Sequence, residues 1–134
     1  MMRSAFFTLC VLAALPTFAG QYDEPYGIVE TGRRSDVLKE LPVSINAVDG
    51  VNTLRTRYSQ PISPGRHQVQ VIFASDRLTT SKAYRYLDLD IQPCTRYRIV
   101  AAYQSRVNLS SWEPKIYVEP IGECHAKFAT TAAK

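Results

Sequence analysis

The stretch Ile62-Ser63-Pro64-Gly65-Arg66-His67-Gln68-Val69-Gln70-Val71-Ile72-Phe73 is a turn followed directly by an alternating strand. Pro64 fixes φ at one turn position, and Gly65 accepts the positive φ that the next position of a type II turn requires. Beyond the turn, His67, Val69, Val71 and Phe73 fall on one face, and Arg66, Gln68, Gln70 and Ile72 on the other. A period of two with one apolar side marks a half-buried antiparallel strand.

The same pattern recurs on both sides of this stretch. Pro42 opens a strand in which Val43, Ile45 and Ala47 point one way and Ser44, Asn46 and Val48 the other. Asp49-Gly50 then supplies two residues that tolerate positive φ, as a type I′ hairpin needs. A partner strand from Val51 to Tyr58 sets Ile45 opposite Leu54 and Val43 opposite Thr56 inside, and Ser44 opposite Arg55 outside. Ala74 to Ser81 is a polar connection. In Lys82 to Ile91, Leu87, Leu89 and Ile91 share one face, and Tyr84, Tyr86, Asp88 and Asp90 the other. Gln92-Pro93-Cys94-Thr95 turns the chain. In the strand from Arg96 to Gln104, Tyr97, Ile99, Ala101 and Tyr103 oppose Arg96, Arg98, Val100 and Ala102.

Joined as a hairpin, these last two strands set Leu89 against Tyr97 and Leu87 against Ile99 inside, with Asp90 against Arg96 and Asp88 against Arg98 outside. Cross-strand opposite charges of this kind select a register. Tyr26 to Thr31 reads as a first strand. Trp112 to Glu119 reads as a last one, with Trp112, Ile116 and Val118 on one side. Pro114 has no N–H for a ladder, so its nitrogen faces a sheet edge. Gly32 to Leu41 reads as a short helix capped by Ser35 or as a polar loop with one helical turn. Short alternating strands separated by turn signals predict an all-β, immunoglobulin-like antiparallel β-sandwich of about seven strands, with a small closed β-barrel as the alternative.

Val48-Asp49-Gly50 followed by Ile62 to Val71 resembles the PEGA domain and related immunoglobulin-like modules of bacterial envelope proteins, a likeness that brings no catalytic residues. A second resemblance rests on Pro93-Cys94-Thr95-Arg96-Tyr97, Ala101-Ala102, Trp112-Glu113-Pro114 and Glu119-Pro120-Ile121-Gly122-Glu123-Cys124. These runs look like a family of small exported proteobacterial proteins of unknown function. That likeness implies a periplasmic location and a pairing of the two cysteines, and no activity.

Met1 to Ala19 has the parts of a secretory signal: Arg3, the apolar run Ala5 to Leu15, Pro16, and small residues at Thr17-Phe18-Ala19. The run is too short to span a bilayer as a helix, and Cys10 reads as an ordinary apolar residue within it. Removing 19 residues from 134 leaves 115, enough for one domain with one core. The expected organisation is a signal over 1–19, one β-sandwich over 20–124 and a flexible tail over 125–134. Loss of Arg3 takes Lys+Arg from 16 to 15 against 12 Asp+Glu, a mature charge of +3. That mild excess permits anionic glycans or lipid headgroups as partners and demands none. No nucleic-acid partner is expected.

Cys94 and Cys124 are the two cysteines of the mature chain, and an even count in an exported protein favours a disulfide. A last hairpin with Gln104 near Trp112 places residue 122 opposite Cys94, with Cys124 two residues further on. Catalytic chemistry finds little footing. His67 and His125 are the only histidines, too few for a zinc site. A Ser-His-Asp set lacks a nucleophile elbow, and Asp88 and Asp90 are explained by Arg98 and Arg96. No metal and no cofactor are expected. Tyr84, Tyr86, Arg96 and Arg98 are the candidate binding patch, with Arg55 and Arg57 a second, because Arg and Tyr are enriched at binding hot spots.

These readings predict a non-catalytic periplasmic or secreted binding or structural module of the cell envelope, its partner an anionic envelope polymer or a periplasmic protein. The alternative is a proteinaceous inhibitor of a secreted hydrolase, presenting the loop Ser105 to Ser111. Expression of the full chain in a secreting bacterial host should yield a protein beginning at Gly20 by intact mass. Recovery with Met1 to Ala19 still attached would remove the export assignment.

Overall fold

The computed structural model describes residue 20 and residues 22–53, 59–73 and 83–132. The expected signal, the partner strand beyond Thr53, the connection Ala74 to Ser81 and the Arg55/Arg57 patch lie outside the described residues. Among the described residues, nine strands form two sheets: β1 (Gly27–Thr31), β2 (Glu40–Pro42), β3 (Ser44–Val48), β4 (Val51–Asn52), β5 (Ser59–Ile62), β6 (Gly65–Ile72), β7 (Tyr84–Ile91), β8 (Thr95–Ala102) and β9 (Glu113–Pro120). One sheet runs β9-β8-β1-β5, with β2 also paired to β8; the other runs β4-β3-β6-β7. The architecture is an open all-β sandwich, not a closed barrel.

The core lies between the sheets. Val29, Ile62, Tyr97, Ile99 and Ala101 from the first meet Val43, Ile45, Val69, Val71, Phe73, Leu89 and Ile91 from the second. The alternation predicted for β6, β7 and β8 therefore gives the inward faces correctly. Trp112 is fully buried, edge-on to Phe73 at 5.6 Å, with the Arg85 guanidinium 4.7 Å from its ring centre. Burying an aromatic of this size beneath a cation removes much apolar surface from water while keeping the charge close to solvent. Asp49 and Gly50 have φ of 51° and 78°, the positive pair of a type I′ turn, and Val48 faces Val51 as that turn dictates.

The partnership of β7 and β8 differs from expectation. β7 pairs antiparallel with β6, from Gly65↔Ile91 to Ile72↔Tyr84. β8 belongs to the other sheet, beside β9 and, in parallel, β1. Gln92 to Cys94 thus carries the chain from one sheet to the other instead of closing a hairpin. The pairs Asp90–Arg96 and Asp88–Arg98 do not form, and the β1–β8 pair makes the sandwich not wholly antiparallel. The last hairpin does form, one residue from the expected register: Thr95 faces Pro120, and the Ile121 N–H donates to the Cys94 carbonyl at 2.8 Å. Among the described residues β9 pairs only with β8, which puts Pro114 on an edge strand, as its missing N–H requires.

Gly32 to Leu41 contains no helix. Ser35 and Glu40 exchange backbone hydrogen bonds at 2.9 Å across a tight turn, Ser35 Oγ accepts the Leu38 N–H, and Lys39 has φ of 54°. The approach to this turn needs a glycine. A Cβ on Gly32 would lie 2.2 Å from Val100 Cγ1, so only a bare backbone crosses there.

In place of the flexible tail expected over 125–134, Gly122–Ala132 forms helix α1. Alanines favour it, and Cys124 and Phe128, four residues apart on one side, pack with Tyr26, Cys94, Ile121 and Ile28 in a second small core. The sulfurs of Cys94 and Cys124 lie at bonding distance, 1.98 Å, and close 30 residues of chain. A cross-link of that span stabilises by roughly 3–4 kcal/mol in the chain-entropy account. Alkylation of a chain starting at Gly20, without reductant, should find no free thiol. Cys124→Ala should shift the denaturant midpoint by a stability loss of that order; an unshifted midpoint would show that the bond does not hold α1 in place.

Candidate functional site

The four residues expected to form one binding patch lie apart. Tyr84 and Tyr86 are on the outer side of β7, where Tyr86 is 63% exposed and its hydroxyl accepts from Gln70 Nε2 at 2.9 Å. Arg96 and Arg98 are on the outer side of β8, in the other sheet. With the core between the sheets, the tyrosines and the arginines face opposite directions. The mistaken hairpin is the cause.

Arg98 is hydrogen-bonded locally, whereas Arg96 Nε is buried without a hydrogen-bond partner among the described residues. Arg98 donates to Glu30 at 3.1 Å and to Glu119 at 2.8 Å, and Arg96 Nε lies 3.6 Å from the same Glu30 oxygen. Half-exposed pairs of this kind contribute at most about 1 kcal/mol each. Further along the same face, Glu40 is only 3% exposed; its carboxylate accepts from Lys115 Nζ at 2.8 Å and from the Tyr117 hydroxyl. Burial pushes the Glu40 carboxyl up, but the hydrogen bonds from Lys115 and Tyr117 and the Lys115 charge outweigh it, so its pKa lies below the ordinary 4.5. The hydrogen bond to Glu40, reinforced by Tyr117, holds the Lys115 ammonium well above its usual range.

A third cluster has the order of a hydrolytic triad. Ser63 Oγ lies 3.5 Å from His67 Nε2, and His67 Nδ1 lies 2.6 Å from Asp49 Oδ2. Yet the nearer neighbour of Nε2 is the Ser63 carbonyl oxygen at 2.8 Å, and the second Asp49 oxygen accepts the Gln68 N–H at 2.8 Å. The imidazole thereby clamps the Asp49-Gly50 turn to the Pro64-Gly65 turn. Its hydrogen bond to Asp49, with that from Gln68, holds the Asp49 carboxyl below its ordinary pKa. An open groove of about 260 Å³, lined by Tyr26, Pro61 and Ile62 among others, adjoins Ser63.

The remaining chemistry gathers at one end of the sandwich, where the Ser35–Glu40 turn meets the loop after β8. The Tyr103 N–H donates to the Lys39 carbonyl at 3.0 Å, Lys39 Nζ to the Gln104 carbonyl at 3.1 Å, and Arg106 Nη2 to Asp36 at 2.7 Å. Arg34 also donates to Asp36, at 3.0 Å. Three aliphatic side chains project from this joined end: Val37 is 92% exposed, Leu38 58% and Val107 91%. Beside them runs a groove of about 540 Å³ lined by Glu30, Thr31, Gly32, Arg33, Arg34, Pro42 and Ser59. The Arg33-Arg34 doublet and the Val37-Leu38 pair are visible in the sequence. Only the fold shows that Arg106 and Val107, some 70 residues on, join them.

Among the described residues no group of three or more His, Cys, Asp or Glu is placed to hold a metal ion, and no helix is long and apolar enough to cross a membrane. What the geometry defines is a disulfide-tied β-sandwich with a braced, cationic, apolar-tipped loop end. No protein-family model matches the chain, and no curated protein or solved structure does either.

Glu40 supplies a test of the outer-face electrostatics. Its folded pKa lies below the unfolded one, so its stabilisation is complete above about pH 4.5 and is lost as pH falls through the folded value. Glu40→Gln should cost about 1–3 kcal/mol at pH 7, and the gap from the parent should narrow on acidification in urea melts. A gap constant from pH 7 to pH 3 would refute this role for Glu40.

Proposed function

We propose that this chain is a non-catalytic binding or structural module of the bacterial cell envelope, acting in the periplasm or outside the cell after removal of a signal near Ala19. The loop end of Arg33 to Lys39 and Gln104 to Asn108 carries this reading. Large aliphatic side chains held in water have no use in the core, and beside arginines they make a recognition surface. The secretory pattern of Met1 to Ala19 and the Cys94–Cys124 bridge support the compartment. On the outer sheet face, Arg98 with Glu30 and Glu119, and Glu40 with Lys115 and Tyr117, are structural pairs, which supports a non-catalytic role.

A second reading, an inhibitor of a secreted hydrolase, draws support from Val107. It stands at the tip of a loop braced by Arg106–Asp36 on one side and by Ser110 Oγ donating to Asn108 on the other. A rigid loop with one projecting aliphatic residue is suited to entering a substrate pocket.

Capture from periplasmic and envelope extract, with the parent and Val37→Asp/Leu38→Asp in parallel, tests the first reading. The parent should retain an envelope component that the variant loses; identical capture by both would place recognition elsewhere. Inhibition of one member of a hydrolase panel by the parent, lost in Val107→Asp, would favour the second reading. Turnover of ester, peptide or glycoside reporters that Ser63→Ala abolishes would overturn both.

A further inference from the structure

We infer that the loop end docks on the surface of an anionic phospholipid bilayer, with Val37, Leu38 and Val107 entering the headgroup layer and the surrounding cations meeting lipid phosphates. This rests on the proposed binding role and names its partner.

The charge is unevenly placed. Arg33 to Lys39 and Gln104 to Asn108 hold Arg33, Arg34, Lys39 and Arg106 against the single acid Asp36, a local excess of +3 that equals the net charge of the chain without Met1 to Ala19. Asp36 lies between Arg34 and Arg106 at 3.0 and 2.7 Å, so it draws both guanidinium groups to the same end as the aliphatic tips. Lys39 Nζ donates to the Gln104 carbonyl at 3.1 Å, which holds its side chain at the same end. The backbone bond from Tyr103 to Lys39 fixes the two loops side by side, so that the three apolar tips do not depend on separate loop motions to gather.

Each element of this arrangement has a use at a membrane surface. Aliphatic side chains gain by leaving water for the acyl boundary, and arginines spread around them keep their charge at the headgroups. Each basic residue near an anionic leaflet strengthens binding by roughly fivefold, and the attraction decays over about 10 Å at 0.1 M salt. A protein partner would need a complementary shape. A lipid surface needs only negative charge and a fluid apolar layer, which are the two properties this end addresses.

The test is co-sedimentation of the purified exported protein with vesicles of phosphatidylcholine alone and of phosphatidylcholine with about a third phosphatidylglycerol. The expected result is binding to the anionic vesicles, at least tenfold weaker on neutral ones, and weakening as salt rises from about 0.05 to 0.5 M. Val37→Asp/Leu38→Asp and, separately, Arg33→Glu should each lower binding by about tenfold or more while leaving the melting temperature unchanged, since all three side chains are exposed. Equal binding to both vesicle types, or binding that survives both variants, overturns the inference. If no vesicle binds but the parent captures an envelope protein that Val37→Asp/Leu38→Asp loses, the lipid assignment fails and the binding role stands. If neither occurs, both fail.

Discussion

Strand β8 is bonded along both of its edges, and most of the molecule is arranged by that fact. On one edge it runs the length of β9. On the other it takes β1 in parallel over Arg96 to Ile99, then β2 antiparallel over Val100 to Ala102. Two short strands of opposite direction can share one edge only if the chain between them leaves the sheet and returns. Gly32 lets it leave, and the Ser35–Glu40 turn brings it back. The exposed loop end is thus a by-product of how β8 is completed. Its position beside Tyr103 and Gln104 follows from β2 pairing with the final residues of the same strand.

The outer face of this sheet shows how charge is used in a small sandwich. Glu30 lies beside Arg96 and Arg98, Glu119 beside Arg98, and Glu40 beneath Lys115 and Tyr117. Those residues come from β1, β2, β8 and β9, so the contacts of Glu30 and Glu40 join elements far apart in sequence, while Glu119 reinforces the β8–β9 hairpin. Their individual energies are small where solvent reaches them, but they disfavour other strand orders by leaving like charges together. The Asp49–His67 clamp does the same for two turns in the opposite part of the molecule. Arg and Lys at the loop end are tied to fewer acids, and the aliphatic residues among them have no partner in the core.

Face assignments were legible in the sequence because they depend only on a period of two. Val69, Val71, Leu89, Ile91, Tyr97 and Ile99 point inward as their alternation requires, and Asp49-Gly50 turns as its φ preferences dictate. Strand partnership is a different kind of information. Asp88 and Asp90 complement Arg98 and Arg96 in a hairpin, yet Arg98 is served by Glu30 and Glu119, and Arg96 lies near Glu30, all from other strands. Charge alternation on one strand therefore fits many neighbours. The tyrosine–arginine patch failed with the hairpin; of the loop end the sequence singles out only Ser105 to Ser111, because Leu38 with Leu41 reads as the apolar side of a short helix. Helix α1 was missed for a similar reason: its Ala- and Thr-rich sequence shows no apolar stripe beyond Cys124 and Phe128.

The bond between Cys94 and Cys124 also alters how the molecule bears load. Tension applied at the C-terminal end would otherwise peel α1 away and then unzip β9 from the edge of its sheet one bond at a time. With the sulfurs joined, the pull bypasses β9 and arrives at Cys94, the first step before β8. There it meets the backbone bonds from Cys94 to Tyr26 and from Ile121 to Cys94, and then a strand held on both edges, which must shear as a unit. A covalent link near one terminus thus moves the mechanical anchor of the chain from a sheet edge to a sheet interior.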